Sequence, residues 1–203
     1  MKNKILLAIS VLLHPVFMPL VTLKTIFFLS PISLALISPY INFVTNIVVL
    51  TTIVFPVLMV LILKLNNKIS SLEMKSIEER PLPLFLSGVC MLTGYLIVYP
   101  VISMFEIIKI TFLCAIIIVF ISSWVSKYWK ISLHMLGIGG LTGVALGLHL
   151  LIDYNINVLI FLLILSGMLG SVRLYLRAHN NLQVYVGFLL GCIVEFAGLL
   201  FFV

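Results

Sequence analysis

The sequence predicts an all-α protein: a polytopic bundle of six to seven transmembrane helices that forms one integral membrane domain over residues 1–203. Hydrophobic residues make up 63% of the chain and charged residues only 9%, whereas a soluble domain needs a largely polar surface. Apolar stretches of about 20 residues, which is the length that crosses the hydrocarbon core of a bilayer, recur along nearly the whole chain. In lipid these stretches must be helical, because no water satisfies unpaired backbone groups there.

Seven apolar segments are each predicted to form one span. The first contains Pro15 and Pro19, so we expect it to be kinked or broken. Residues 30–42 contain two further prolines and predict a turn or a short interfacial piece. Fusing or discarding one weak segment would leave six spans. The predicted spans are residues 5–29, 43–64, 82–104, 106–126, 132–152, 156–172 and 183–203.

Small residues in the fifth span predict close helix packing, because a glycine lets a neighbouring backbone approach. They do not form a phosphate-binding loop, since they continue into the membrane. These residues are Gly137, Gly139, Gly140, Gly143 and Gly147.

No cofactor and no metal are expected, because no cluster of carboxylates and histidines has ligand spacing. The three cysteines, Cys90, Cys114 and Cys192, lie inside apolar stretches and never as a Cys-x2-Cys pair. They are therefore interpreted as small core residues.

Basic residues occur singly between the spans, which indicates topology and headgroup contacts rather than nucleic-acid binding. The net charge is +6, and ten of the twelve basic residues would lie on one side of the membrane. The positive-inside rule makes that side cytoplasmic. The ten are Lys2, Lys4, Lys64, Lys68, Lys75, Arg80, Lys127, Lys130, Arg173 and Arg177.

Three polar islands interrupt the apolar pattern on that same side. The first is residues 75–81, the second is residues 131–134, and the third is residues 173–183. Two spans separate each island from the next, so the chain returns to the same face each time. Ionisable groups are costly beside hydrocarbon, and a cluster of them is by default a candidate functional site.

The residue types in these islands suit an anionic phosphate ester. Arg80 and Arg173 offer planar forks that match phosphate oxygens. Ser132 stands at a helix start, where free backbone N–H groups bind anions. A histidine pair, His179 and His134, can supply a nucleophile and a general acid. The sequence therefore predicts a phosphate site at the depth of lipid headgroups.

These motifs resemble those of the type 2 phosphatidic acid phosphatase (PAP2) superfamily. Arg173-x5-His179-x3-Gln183 resembles its third motif, Ser-Arg-x5-His-x3-Asp. Residues 131–134, Ile-Ser-Leu-His, resemble its second motif, Pro-Ser-Gly-His, and Arg80-Pro81 resembles the end of its first, Lys-x6-Arg-Pro. The resemblance covers about residues 73–203.

The resemblance implies hydrolysis of a lipid phosphate, of phosphatidic acid or polyprenyl pyrophosphate type, without a metal. His179 would attack phosphorus to form a phosphohistidine, and His134 would protonate the leaving group. Arg80, Arg173 and Ser132 would hold the phosphoryl oxygens as charge develops. The expected partners are the lipid phosphate and the surrounding membrane lipids, and the expected location is a bacterial inner membrane.

Two departures from the motifs leave other functions open. Glu73 stands where the superfamily has lysine, with Lys75 out of register, and Gln183 replaces the aspartate that orients the nucleophilic histidine. A glutamine oxygen can fix the histidine tautomer, but it cannot balance developing positive charge as a carboxylate does. One alternative is a catalytically impaired relative that binds lipid phosphate. Another is a small transporter or scaffold that uses Glu195 and broken helices.

Each island also has a purely structural interpretation. The third could be a basic loop that anchors two spans at the headgroups. His134 could be an interfacial histidine, and Arg80-Pro81 could be a helix start with a topology signal. The side of the membrane also stays open, because the resemblance implies an extracytoplasmic site and the charge bias a cytoplasmic one.

Overall fold

The chain folds into an all-α bundle. The computed structural model describes residues 2–71, 74, 76–154 and 156–203. The described chain is 82% helical and contains no strand, and seven of its helical segments are long and apolar enough to cross a membrane. The prediction of an integral, multi-pass membrane protein is confirmed.

In the described part of the chain, ten α-helices form the seven spans and one short connection. All seven predicted apolar segments are spans, with ends shifted by a few residues, so no segment has to be fused or discarded. The helices are α1 (Lys2–Leu12), α2 (Met18–Leu29), α3 (Pro31–Ile37), α4 (Ile41–Val49), α5 (Phe55–Leu65), α6 (Pro81–Ile102), α7 (Glu106–Val125), α8 (Leu133–Ile152), α9 (Asn157–Tyr175) and α10 (Asn181–Phe202).

The first span is broken where prolines predicted a break. A short 3-10 turn, Pro15–Phe17, separates α1 from α2. His14 stabilises this turn, because its Nδ1 accepts a hydrogen bond of 3.3 Å from the backbone N–H of Val16. The predicted short piece after the first span is also confirmed and is α3.

The second span contains a π-helical turn, Leu50–Val54, between α4 and α5. Pro56 has no N–H to donate to this turn, and the hydroxyls of Thr51 and Thr52 donate 2.8 Å bonds to carbonyls one turn back. Hydropathy did not predict this widening, because it leaves the apolar pattern unchanged.

The helix α8 is the centre of the bundle. Of its most apolar stretch 67% is buried, against 17–44% in the other spans. A Cβ added at Gly139 would overlap the backbone oxygen of Phe188, and one added at Gly143 would overlap that of Cys192. The backbones of α8 and α10 are therefore in direct contact, which confirms the predicted role of these glycines.

The helices α6 to α10 each have one terminus at the same end of the bundle, which we call the site end. A Cβ at Gly187 would lie 2.7 Å from the backbone oxygen of Ser132, and one at Gly147 would contact Leu199. These contacts show that α8 and α10 run parallel and both begin at the site end. The helix α6 begins there as well, because Ser123 near the end of α7 donates a 2.8 Å bond to the backbone oxygen of Pro81. The helix α9 leads into α10 and so ends there.

Candidate functional site

The structure brings the three polar islands into contact at the site end. The Nη1 of Arg80 donates a 3.3 Å hydrogen bond to the backbone oxygen of Ile131, which joins the first island to the second. The backbone N–H of Ser132 donates a 3.3 Å bond to the backbone oxygen of Gln183, which joins the second to the third. Residues separated by a hundred positions thus form one cluster.

Arg80 is buried and held by uncharged acceptors. It is 8% exposed, and its Nε donates a 3.0 Å bond to the backbone oxygen of Met74. Burial lowers the pKa of Arg80, and the nearby positive charge of Arg173 lowers it further. A guanidinium remains charged under such shifts. Its hydrogen bonds orient the side chain without cancelling its charge.

Lys130 adds a third cation to this cluster. Burial lowers the pKa of Lys130, and the charges of Arg80 and Arg173 lower it further. The sequence pattern around this lysine indicates only a topology signal. Its position between the seventh and eighth α-helices, three residues before the start of α8, was the signal that could have linked it to the second island.

His179 is neutral and buried beside these cations. It is 9% exposed. Burial is the largest cause that lowers its pKa to about 4, followed by the charges of Arg173 and Arg80, while the hydrogen bond to Gln183 opposes the shift. At neutral pH one ring nitrogen of the imidazole is therefore unprotonated and can act as a nucleophile.

Gln183 sets the orientation of His179. Its Oε1 lies 3.2 Å from Nδ1 of His179 and also accepts a 3.1 Å bond from the backbone N–H of Asn180. Because this oxygen accepts and cannot donate, Nδ1 must carry the ring hydrogen. The lone pair of His179 is then on Nε2.

The helix start explains locally why residue 183 can be glutamine. The Oδ1 of Asn180 accepts a 2.9 Å bond from the backbone N–H of Gln183, so the two residues form a reciprocal capping box at the start of α10. Glutamine and glutamate are the residues that close such a box from its third helical position. Gln183 therefore both caps a helix and positions a histidine.

Ser132 supplies a buried hydroxyl without a partner. The residue is fully buried, and its Oγ has no hydrogen-bond partner among the described residues. Its backbone is extended, with φ −83° and ψ 102°, directly before α8, and the side chain does not cap the helix. A buried hydroxyl in this state can donate to an anion that enters the cluster.

His134 points toward α1 and contacts Ser10. Its Nε2 lies 3.0 Å from the backbone oxygen and 3.2 Å from the Oγ of Ser10. A carbonyl oxygen only accepts, so Nε2 carries the hydrogen in this contact. Protonation of a leaving group by His134 would first require that this hydrogen leave Ser10.

Ser10 and His14 were missed by sequence reasoning. The Nη1 of Arg173 donates a 2.7 Å bond to Ser10 Oγ, and the rings of His14 and His134 have centroids 5.1 Å apart. The available signal was their spacing, because two polar residues four apart share a face of an otherwise apolar helix. The first span thus forms one wall of the site.

Two departures from the first motif lie outside the described residues: Glu73, at the position of the superfamily lysine, and Lys75, which is out of register. Within the described residues, no three His, Cys, Asp or Glu side chains come together as a metal-binding group.

The fold and the cluster define a multi-pass α-helical membrane protein with a basic, histidine-containing site at one end of its spans. Comparisons of the chain with family models, curated proteins and solved structures find no match. The resemblance to the phosphatase superfamily therefore rests on the three motifs.

Proposed function

We propose that this protein is a membrane lipid-phosphate phosphatase, of phosphatidic acid or polyprenyl pyrophosphate type, that acts through a phosphohistidine at His179. The observation that carries the proposal is the grouping of Arg80, Lys130 and Arg173 around a buried, neutral histidine. Cations at the end of the spans attract a phosphate at headgroup depth, and the unprotonated Nε2 of the histidine can attack phosphorus.

In the proposed reaction the cations and Ser132 Oγ hold the phosphoryl oxygens. The Nε2 lone pair of His179 forms a bond to phosphorus, and the bond from phosphorus to the lipid oxygen breaks. The leaving oxygen takes a proton from His134, as the resemblance implies. Water then attacks the phosphohistidine while His134 takes a proton from it, and the bond from phosphorus to Nε2 breaks, which releases inorganic phosphate and restores both histidines.

Gln183 keeps its Oε1 on Nδ1–H while His179 gains positive charge in the first step. An amide oxygen stabilises that charge less than a carboxylate would. We therefore expect turnover to be slower than an aspartate at residue 183 would support.

The second candidate is a lipid-phosphate binding protein with impaired chemistry. Two observations favour it: Gln183 has a sufficient structural role in the capping box, and the Nε2 hydrogen of His134 is engaged by Ser10. Both candidates need the same cations, so binding alone does not separate them.

Phosphate release from a panel of lipid phosphates is the deciding experiment. Purified protein is compared with His179→Ala and with the control His149→Ala, since His149 lies at the opposite end of α8 and bonds the backbone oxygen of Tyr154. Release that disappears only in His179→Ala supports the phosphatase. Lipid phosphate binding that weakens in Arg173→Ala, without release by the wild type, supports the impaired relative. If neither occurs in folded protein, the transporter or scaffold remains.

We further propose that the protein resides in a bacterial inner membrane, with the side of the site decided by labelling. Asn181 is exposed at the start of α10 and, unlike Asn180, does not cap it. Asn181→Cys in a background without the three native cysteines can be labelled from one side only. Labelling of intact cells by an impermeant reagent would place the site outside the cytoplasm, and protection would agree with the charge bias.

A further inference from the structure

A mostly apolar cavity of about 350 Å³ lies between the spans. Its wall on α7 runs from Ile108 to Ser122, which is about 21 Å at the rise of an α-helix. At the site end the cavity is lined by Leu133, the residue after Ser132, and by His14. The cavity therefore begins under the candidate phosphate site and extends toward the far end of the spans.

Two buried polar side chains line this cavity far from the site. Glu195 is 3% exposed and Thr111 is 6% exposed. Neither Glu195 Oε2 nor Thr111 Oγ1 has a hydrogen-bond partner among the described residues. Native proteins rarely leave buried polar groups in this state, because desolvation without a hydrogen bond is unfavourable.

The helix contacts place both groups on facing helices. A Cβ added at Gly198 would overlap Sγ of Cys114 and lie 3.4 Å from Cγ2 of Ile110, so α10 one turn past Glu195 contacts α7 on either side of Thr111. Glu195 lies eight residues beyond Gly187, whose backbone is level with Ser132, and this corresponds to about 12 Å along the helix. Glu195 is thus near the middle of the membrane.

We propose that this cavity binds the hydrocarbon chain of a lipid whose mid-chain hydroxyl hydrogen-bonds Glu195 or Thr111. A hydroxyl can donate to a carboxyl oxygen or exchange a hydrogen bond with a threonine hydroxyl, so it can satisfy either group. A neutral ligand group suits the apolar wall, since a second charge would also have to be desolvated. The proposal rests on the proposed function only in that the phosphate of the same lipid would occupy the site end.

The test uses two esters that differ by one mid-chain hydroxyl, methyl ricinoleate and methyl oleate. Each displaces the fluorescent fatty acid cis-parinaric acid from wild-type protein in nanodiscs of saturated phosphatidylcholine. We expect methyl ricinoleate to bind about tenfold more tightly, as one hydrogen bond to a buried polar group would provide.

Two variants assign the preference to one of these two groups. Thr111→Val keeps the volume and removes the hydroxyl, and Glu195→Leu removes the carboxyl. The variant that lacks the partner of the ligand hydroxyl should lose the preference for the hydroxylated ester. Equal binding of the two esters by the wild type would overturn the proposal. A preference that persists unchanged in both variants would overturn it as well.

The esters carry no phosphate, so this test is independent of the phosphatase assay. A hydroxyl preference in protein that releases no phosphate would retain the cavity site and contradict the proposed function. Phosphate release without a hydroxyl preference would do the reverse.

Discussion

Replacing Gln183 with glutamate tests how this residue controls His179. Gln183→Glu keeps the side-chain length, so the new carboxylate can still accept from the backbone N–H of Asn180, at 3.1 Å in the wild type, and from Nδ1 of His179, at 3.2 Å. Glutamate is also accepted at this position of a capping box. The change therefore adds a negative charge while the local geometry is retained.

The added charge should raise the pKa of His179 from its wild-type value of about 4. Opposite charges about 4 Å apart near a protein surface interact by about 4 kcal/mol, which corresponds to about 3 pKa units as an upper limit. Arg173 and Arg80 also attract the new carboxylate and reduce the effect. We therefore expect a rise of about 1–3 units.

The pKa can be followed by NMR of histidine-labelled protein, because the chain contains only four histidines. The His179→Gln variant assigns the resonance. Asn181→Glu is the matched control, since it adds the same charge at an exposed position of α10 without the contact. If His179 titrates identically in the wild type and in Gln183→Glu, the contact between these side chains is not as described. If the phosphatase proposal holds, phosphate release should also rise in Gln183→Glu.

Three further changes test the pH response, the packing and the first span. The pKa of His179 is 6.5 in the unfolded chain and about 4 in the folded protein, so the unfolded state binds more protons as the pH drops between these values. The free energy of unfolding should therefore fall by about 3 kcal/mol over this pH range. In thermal unfolding, His179→Gln should lose less stability than the wild type on acidification, and identical pH profiles would contradict this. Gly143→Ala should lower the free energy of unfolding by about 1–3 kcal/mol, because the added methyl group pushes α8 away from α10. Gly167→Ala is the control, since nothing lies within 4 Å of an added Cβ, and it should melt near the wild-type temperature. Equal melting temperatures of the two variants would refute the contact between α8 and α10. Ser10→Ala removes the acceptor of the 2.7 Å bond from Arg173 and should lower the free energy of unfolding by about 1.5–3 kcal/mol. Melting at the wild-type temperature would show that the hydrogen bond between α1 and Arg173 does not stabilise the site.

The convergence of the islands was accessible from the sequence because it depends on counting. An even number of spans returns the chain to the same face, and the contacts of Arg80 with Ile131 and of Ser132 with Gln183 join the three islands. Counting does not give the rotation of each helix about its axis. The turn of His134 toward Ser10 therefore had to come from the structure.

The sequence by itself determined the class of fold and the breaks within it. In hydrocarbon the backbone groups of such a chain must be satisfied within helices. Pro15 interrupts the first helix whatever its tertiary contacts are, because proline has no N–H to donate. Only the tertiary structure decided which polar groups meet in the interior, such as Ser10 with Arg173, and that a cavity reaches Glu195. The physical reason is that lipid is as apolar as the protein core, so hydropathy does not distinguish the face of a helix that packs from the face that meets lipid. Close contact between particular side chains makes that choice, as the glycines of α8 do against α10.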